Sequence, residues 1–144
     1  MTPAADFIAC WEGFRAQAYL DTKAKPPRWT VGYGQVGPDV LPGTIWTREK
    51  AEQRLEHFVA ALQDVLHAAI HVPVNNNQLI ALTSLAYNVG SHSMLGSRLL
   101  EKLNAGDYAG AAAEFGNGWD TAGGVFVQGL KNRRMAEQAL FLKE

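Results

Sequence analysis

Apolar positions set out a helix at the very start of the chain: Phe7, Ile8, Trp11 and Phe14 recur at helical offsets. Thr2 followed by Pro3 is a good opening, an N-cap oxygen and then a residue whose missing N–H would have gone unpaired. Gly13 supplies the left-handed residue that closes the helix, so Glu12 falls in its last turn. Over residues 18–46 the pattern changes to short runs of Tyr, Trp, Thr, Val and Ile. Pro26-Pro27, Gly32, Gly34, Gly37-Pro38 and Pro42-Gly43 punctuate them, which predicts a small sheet with tight turns. Thr47 then caps a long periodic segment with Ala51, Leu55, Phe58, Leu62, Val65, Leu66 and Ala69 on one face, ending before Pro73.

Asn75-Asn76-Asn77 reads as a cap, and residues 79–89 are apolar nearly all round, as in a buried central helix that Gly90 ends. Helices are predicted over 97–103, 107–115 and 130–142, with an irregular or weakly helical connection over 116–129. Helix, small sheet, long helix and helical bundle in that order make an α+β architecture with a cleft between two lobes. The expectation is one domain over 1–144: a β-rich lobe at 14–46, a connecting helix at 47–70, and a helical lobe from 1–13 and 71–144.

Composition narrows the function. A chain of 144 residues, 47% hydrophobic and 19% charged, needs neither disulfide nor structural metal to bury a core. Its formal net charge of −1 argues against a nucleic-acid partner. Cys10, the single cysteine, lies among apolar residues and is expected to be a small, buried, inert side chain. No run approaches the roughly 18 apolar residues of a membrane helix, so no stable membrane insertion is expected. The first residues lack the charged and apolar regions of a secretory signal, and synthesis in a cytoplasm is expected.

Two acids carry the candidate chemistry. Glu12 sits at the carbonyl end of a helix, where a carboxylate is repelled, and that repulsion combined with burial favours a protonated acid. Nine positions later Asp21, with Thr22, Lys23 and Lys25 nearby, is set in surroundings that keep it ionised. Two carboxyls pushed toward different protonation states are what cleavage of a glycosidic bond requires. Two solvated surface acids are the competing reading of the same pair. His67 and His71 are four apart on the long predicted helix, a spacing at which imidazoles can share a metal, yet no third ligand is evident and surface histidines are the default.

The chain resembles the bacteriophage lysozymes of the T4 type, endolysins or muramidases of glycoside hydrolase family 24. Three blocks carry the resemblance: Trp11-Glu12-Gly13-Phe14-Arg15, Ala18-Tyr19-Leu20-Asp21 and Trp29-Thr30-Val31-Gly32-Tyr33-Gly34. Leu85-Ala86-Tyr87-Asn88-Val89-Gly90, the stretch from Leu99 to Tyr108 and the ending from Arg133 to Leu142 support it. The resemblance implies a lysozyme-like fold with a small antiparallel sheet lobe. It implies Glu12 as general acid and Asp21 with Thr30 holding a water for inverting hydrolysis of the β-1,4 bond between N-acetylmuramic acid and N-acetylglucosamine in peptidoglycan. It implies no cofactor, a monomer, accumulation in the host cytoplasm, and access to the glycan strands of the wall after a holin opens the membrane.

Val36, Tyr87 and Ser97 match substrate-contacting positions, and their plainer readings are a turn residue, a core aromatic and an N-cap. The chain departs from the family pattern in two places. Eight residues separate Asp21 from Thr30, a longer loop than is usual, and Gln35 stands where a histidine is common. Arg15 is expected to brace the sheet or the acid by hydrogen bonding, and Lys131, Arg133 and Arg134 to form a solvated helix face. Two other functions fit the same residues. One is a lytic transglycosylase, which needs a single acid; the other is a non-catalytic peptidoglycan-binding protein of the same fold.

Overall fold

A computed structural model describes residues 1–144. Helix α1 (Pro3–Glu12) opens with Thr2 Oγ1 accepting from Ala5 N and closes at Gly13, whose φ of 70° needs no Cβ. Strands β1 (Arg15–Asp21) and β2 (Arg28–Gly32) pair antiparallel, with Tyr19 opposite Thr30 and Asp21 opposite Arg28. Isolated bridges from Gln17 to Ile45 and from Val31 to Gln35 widen this small sheet. Helix α2 (Arg48–Ala69) follows, capped by Thr47, and α3 (Asn76–Val89) starts with a reciprocal capping box between Asn75 and Gln78. Then come α4 (Ser91–Leu95), α5 (Arg98–Asn104) and α6 (Tyr108–Glu114). Strands β3 (Thr121–Ala122) and β4 (Val125–Phe126) form a hairpin, and α7 (Gln128–Leu142) ends the fold.

The architecture is the expected α+β arrangement, a small antiparallel sheet and a helical bundle with a long helix between them, and four local expectations are corrected. Residues 116–129 are not merely irregular: Gly123 and Gly124, with φ of 58° and 81°, make the two-residue turn of the β3–β4 hairpin. A short α4 fills the stretch after Gly90. Cys10 is exposed, because the buried stripe of α1 runs through Ala4, Ala5 and Ile8 and turns the thiol outward. Helix α2 stops at Ala69, so His67 and His71 do not share a helical face; the His71 N–H instead donates to Asn104 Oδ1.

Two clusters of buried side chains flank the long helix. Ala5 and Ile8 of α1, Val31, Tyr33 and Trp46 of the sheet region, and Leu55 and Val59 of α2 make one. Leu62 and Leu66 of α2 pack with Leu82 and Leu85 of α3, Met94, Leu99, Leu103, Phe115 and Phe141 in the other. Helix α2 therefore contributes its first half to one core and its second half to the other. Six consecutive residues of α3, Ala81 to Ala86, are buried, the all-round burial that its apolar sequence predicts.

Leu85 is fully buried and Leu142 is 60% exposed. Leu85→Ala is expected to cost about 2–5 kcal/mol in denaturant unfolding, and Leu142→Ala less than about 0.5 kcal/mol. A pH effect is also expected between α5 and α6. Lys102 Nζ lies 2.7 Å from Glu114 Oε1; that hydrogen bond, followed by one from Asn117, holds the Glu114 carboxyl below its ordinary value near 4.5. A depressed folded value stabilises above the ordinary one, and that stabilisation is lost as pH falls through the folded value. Lys102→Met should therefore lower the unfolding midpoint at neutral pH and make it less sensitive to acid, as thermal melts from pH 7 to pH 3 would show.

Candidate active site

The alternation of strand side chains decides which residues reach the groove. Tyr19 and Asp21 are two apart on β1, and their partners Thr30 and Arg28 are two apart on β2, so all four share one face of the ladder. The groove there has two connected hollows of about 480 and 720 Å³ that meet at Asp21, Arg28, Asn88 and Val89. Glu12 lines the larger, Thr30, Val36 and Tyr87 the smaller, and Asp21 both. The longer loop between Asp21 and Thr30 leaves the register of the hairpin intact, with Thr30 still opposite Tyr19 and 3% exposed.

Glu12 is held from two directions. Arg133 Nη1 on α7 donates to its Oε2 at 2.5 Å, and the positive guanidinium opposes the repulsion from the carbonyl end of α1. Its Oε1 lies against Gly34, where a built Cβ would sit 2.4 Å away, so the missing side chain at Gly34 makes room for the carboxyl. Asp21 Oδ1 accepts from Lys23 N at 3.0 Å, the local hold of an acid at a turn. The Thr30 hydroxyl donates to the Arg28 carbonyl at 3.2 Å, which leaves its lone pairs as acceptors.

The remaining candidate residues divide. Tyr87 donates its hydroxyl to the Tyr33 carbonyl at 2.6 Å, packs edge-on against Phe58, and offers the groove its ring rather than its oxygen. Burial, then the charge of Glu12, raises the Tyr87 hydroxyl well above its ordinary value, so it stays a donor. Val36 is exposed at the groove wall. Ser97 lies outside both hollows: its hydroxyl donates to Met94 O and accepts from Leu100 N, the bonds of an N-cap. Arg15 lays its guanidinium over the Tyr19 ring, 4.2 Å from the centroid, in place of the hydrogen-bonding role expected.

Arg133 and Arg134 overturn the expectation of a solvated face, being 4% and 1% exposed. Arg134 Nε and Glu137 Oε1 face each other at 2.6 Å, and neither atom has another partner. Burial pushes the Glu137 carboxyl up and the Arg134 guanidinium down from their ordinary values, each opposed by the other's charge. Arg134 Nη1 continues to Asn88 Oδ1 at 2.8 Å and to the Trp119 carbonyl at 3.4 Å. Trp119 has a left-handed φ of 59°, a conformation that costs about 1–3 kcal/mol for such a side chain. A signal for these arginines existed: Arg133, Arg134, Glu137 and Phe141 fall at offsets that put them on one helical face with an aromatic core residue.

Comparison with known proteins shows what the chain as a whole is similar to. The family profile described as phage lysozyme matches residues 9–137. The endolysin of Bacillus phage PZA is 46% identical over 138 residues, covering 94% of this chain and 52% of its own. The endolysin of Acyrthosiphon pisum secondary endosymbiont phage 1 is 40% identical, covering 93% of this chain and 91% of its own. Among solved structures, an endolysin from Escherichia coli O157:H7 phage FAHEc1 superposes with a TM-score of 0.84 at 33% identity. That superposition covers 99% of this chain and 92% of that one. The chain spans about half the length of the two Bacillus phage relatives it matches.

Gly34→Ala is expected to destabilise on two counts: a left-handed φ of 72° and the contact with Glu12 Oε1. The backbone share is about 1–2 kcal/mol and independent of Glu12. In a Glu12→Ala background only that share should remain, so a double-mutant cycle by thermal unfolding should show coupling between the two positions.

Proposed function

The chain belongs to the phage lysozyme family, and on that premise we propose that it is an endolysin hydrolysing the β-1,4 bond between N-acetylmuramic acid and N-acetylglucosamine in peptidoglycan. The observation that carries the reading is the placing of Glu12 and Asp21 along one groove, the first braced by a buried arginine and the second lining the same hollow as Thr30.

In this reading Glu12 gives a proton to the glycosidic oxygen as the bond from that oxygen to the anomeric carbon breaks. Oε2 is occupied by Arg133, so the proton is carried on Oε1, the oxygen for which Gly34 leaves space. A water donates one hydrogen to the Asp21 carboxylate and the other to the Thr30 oxygen, whose own hydrogen is committed to Arg28 O. Both acceptors turn the water's lone pair toward the anomeric carbon, on the face opposite the leaving group. Its oxygen bonds to that carbon, Asp21 receives the proton, and configuration inverts. Val36, the Tyr87 ring and exposed Phe58 offer an apolar wall for a sugar face.

No helix is long and apolar enough to cross a membrane. We assign the protein a cytoplasmic stage in the host, release through a holin, action as a monomer and peptidoglycan glycan strands as partner; the family resemblance supports each of these.

Glu12→Gln should lower the clearing of permeabilised Gram-negative cells by roughly 10²–10⁴-fold with the unfolding midpoint within a few degrees of wild type. Retained clearing would end the acid assignment. NMR of the first product from soluble glycan fragments should show the α-anomer at the new reducing end. A β-anomer would mean retention, and a 1,6-anhydro end would mean a transglycosylase.

A further inference from the structure

Beneath the groove lie buried polar groups that the proposed chemistry does not touch. Ser84 on α3 donates its hydroxyl to Glu137 Oε2 at 2.6 Å. Ser84 Oγ in turn accepts from Arg133 Nε and Nη2, both at 3.3 Å, and the Ser84 carbonyl accepts from Nη2 at 3.3 Å. Glu137 Oε2 itself stands 3.5 Å from Arg133 Nε. A guanidinium is a rigid planar fork, so fixing its Nε and Nη2 edge fixes the direction of Nη1. That remaining direction points at Glu12 Oε2, and no other hydrogen-bond donor reaches Glu12. Ser84 and Glu137 are both fully buried and neither lines the groove, so they meet no substrate.

We propose that Ser84 and Glu137 are positioning residues for Glu12, acting through Arg133: the serine oxygen and the glutamate seat the guanidinium, and the seated guanidinium sets where the carboxyl stands in the groove. The proposal rests on the reading of Glu12 as the proton donor. Ser84 is the sharper handle, because removing its oxygen leaves every charge in place. A carboxyl that loses its aim still lies in the groove, so binding survives while the proton transfer slows.

The test is the steady-state kinetics of Ser84→Ala on soluble glycan-strand fragments, below its unfolding transition. The expected result is a kcat reduced about tenfold to a hundredfold, with KM within about twofold of wild type. Chemical rescue supplies a second measurement. Guanidinium ion at sub-denaturing concentration should restore turnover to Arg133→Ala, and restore much less in the Arg133→Ala/Ser84→Ala double variant, where its seat is gone. Should Ser84→Ala prove too unstable to assay, unfolding midpoints of Ser84→Ala, Glu12→Gln and the double variant replace it, and non-additivity is expected.

Wild-type kcat in Ser84→Ala with a lowered melting point, equal rescue with and without Ser84, or additive midpoints would each overturn the positioning role and leave Glu12 as the acid. Undiminished turnover in Glu12→Gln would instead overturn the reading of Glu12 itself, and this proposal with it.

Discussion

The pairing of Glu12 with Arg133 makes demands on much of the molecule. A carboxylate at the carbonyl end of a helix is repelled by the helix itself and, left alone, is better placed in water. Arg133 comes from the last helix, 121 positions along the chain, to oppose that repulsion. A guanidinium only 4% exposed needs anions of its own, and Glu137 is one. Glu137 is fully buried and needs more than one cation, which Arg134 supplies. The remaining N–H groups of Arg134 then require Asn88 and the Trp119 carbonyl. Each partner answers the cost of desolvating the one before it, and the sequence of partners ends back at the groove wall.

The opposite wall is organised by the pleat rather than by charge. A single register places Tyr19, Asp21, Arg28 and Thr30 on one face, and a slip of one strand by one residue would put Asp21 and Thr30 on opposite faces. Tyr87 joins the walls: its ring belongs to the central helix, and its hydroxyl bonds to the backbone of the turn after β2. That turn also carries Gly34, so the residue that makes room for Glu12 Oε1 and the carbonyl that receives Tyr87 are neighbours in sequence.

Local signals with a single physical cause were legible in the chain. Caps at Thr2, Thr47 and Ser97, and the all-round apolar run of α3, stand where hydrogen-bond chemistry and periodicity put them. So does Glu12 in the last turn of α1. Two helices packed across a groove decide what local patterning cannot. Arg133 and Arg134 have the composition of a solvated face and the spacing of a buried one, and burial prevails because Glu12 and Glu137 are there to receive them. The β3–β4 hairpin was hidden by brevity: two-residue strands give no alternation to read, although Gly123-Gly124 is a turn signal. Cys10 illustrates the converse, since apolar neighbours in sequence lie on several faces of a helix and only one of those faces is buried.

Gln35 stands where the resemblance leads one to expect a histidine. Its Oε1 accepts from Tyr33 N at 2.8 Å and its Nε2 donates to Ala51 O at 3.1 Å, so one buried amide ties the turn after β2 to the first turn of α2. Both functions are needed at once, one acceptor and one donor, and a neutral imidazole could meet them only in the right tautomer. A histidine would also gain charge near pH 6.5 and lose its acceptor, whereas the amide does neither. The turn that carries Gly34, and with it the space beside Glu12, is therefore held by bonds whose two side-chain atoms do not titrate near neutral pH.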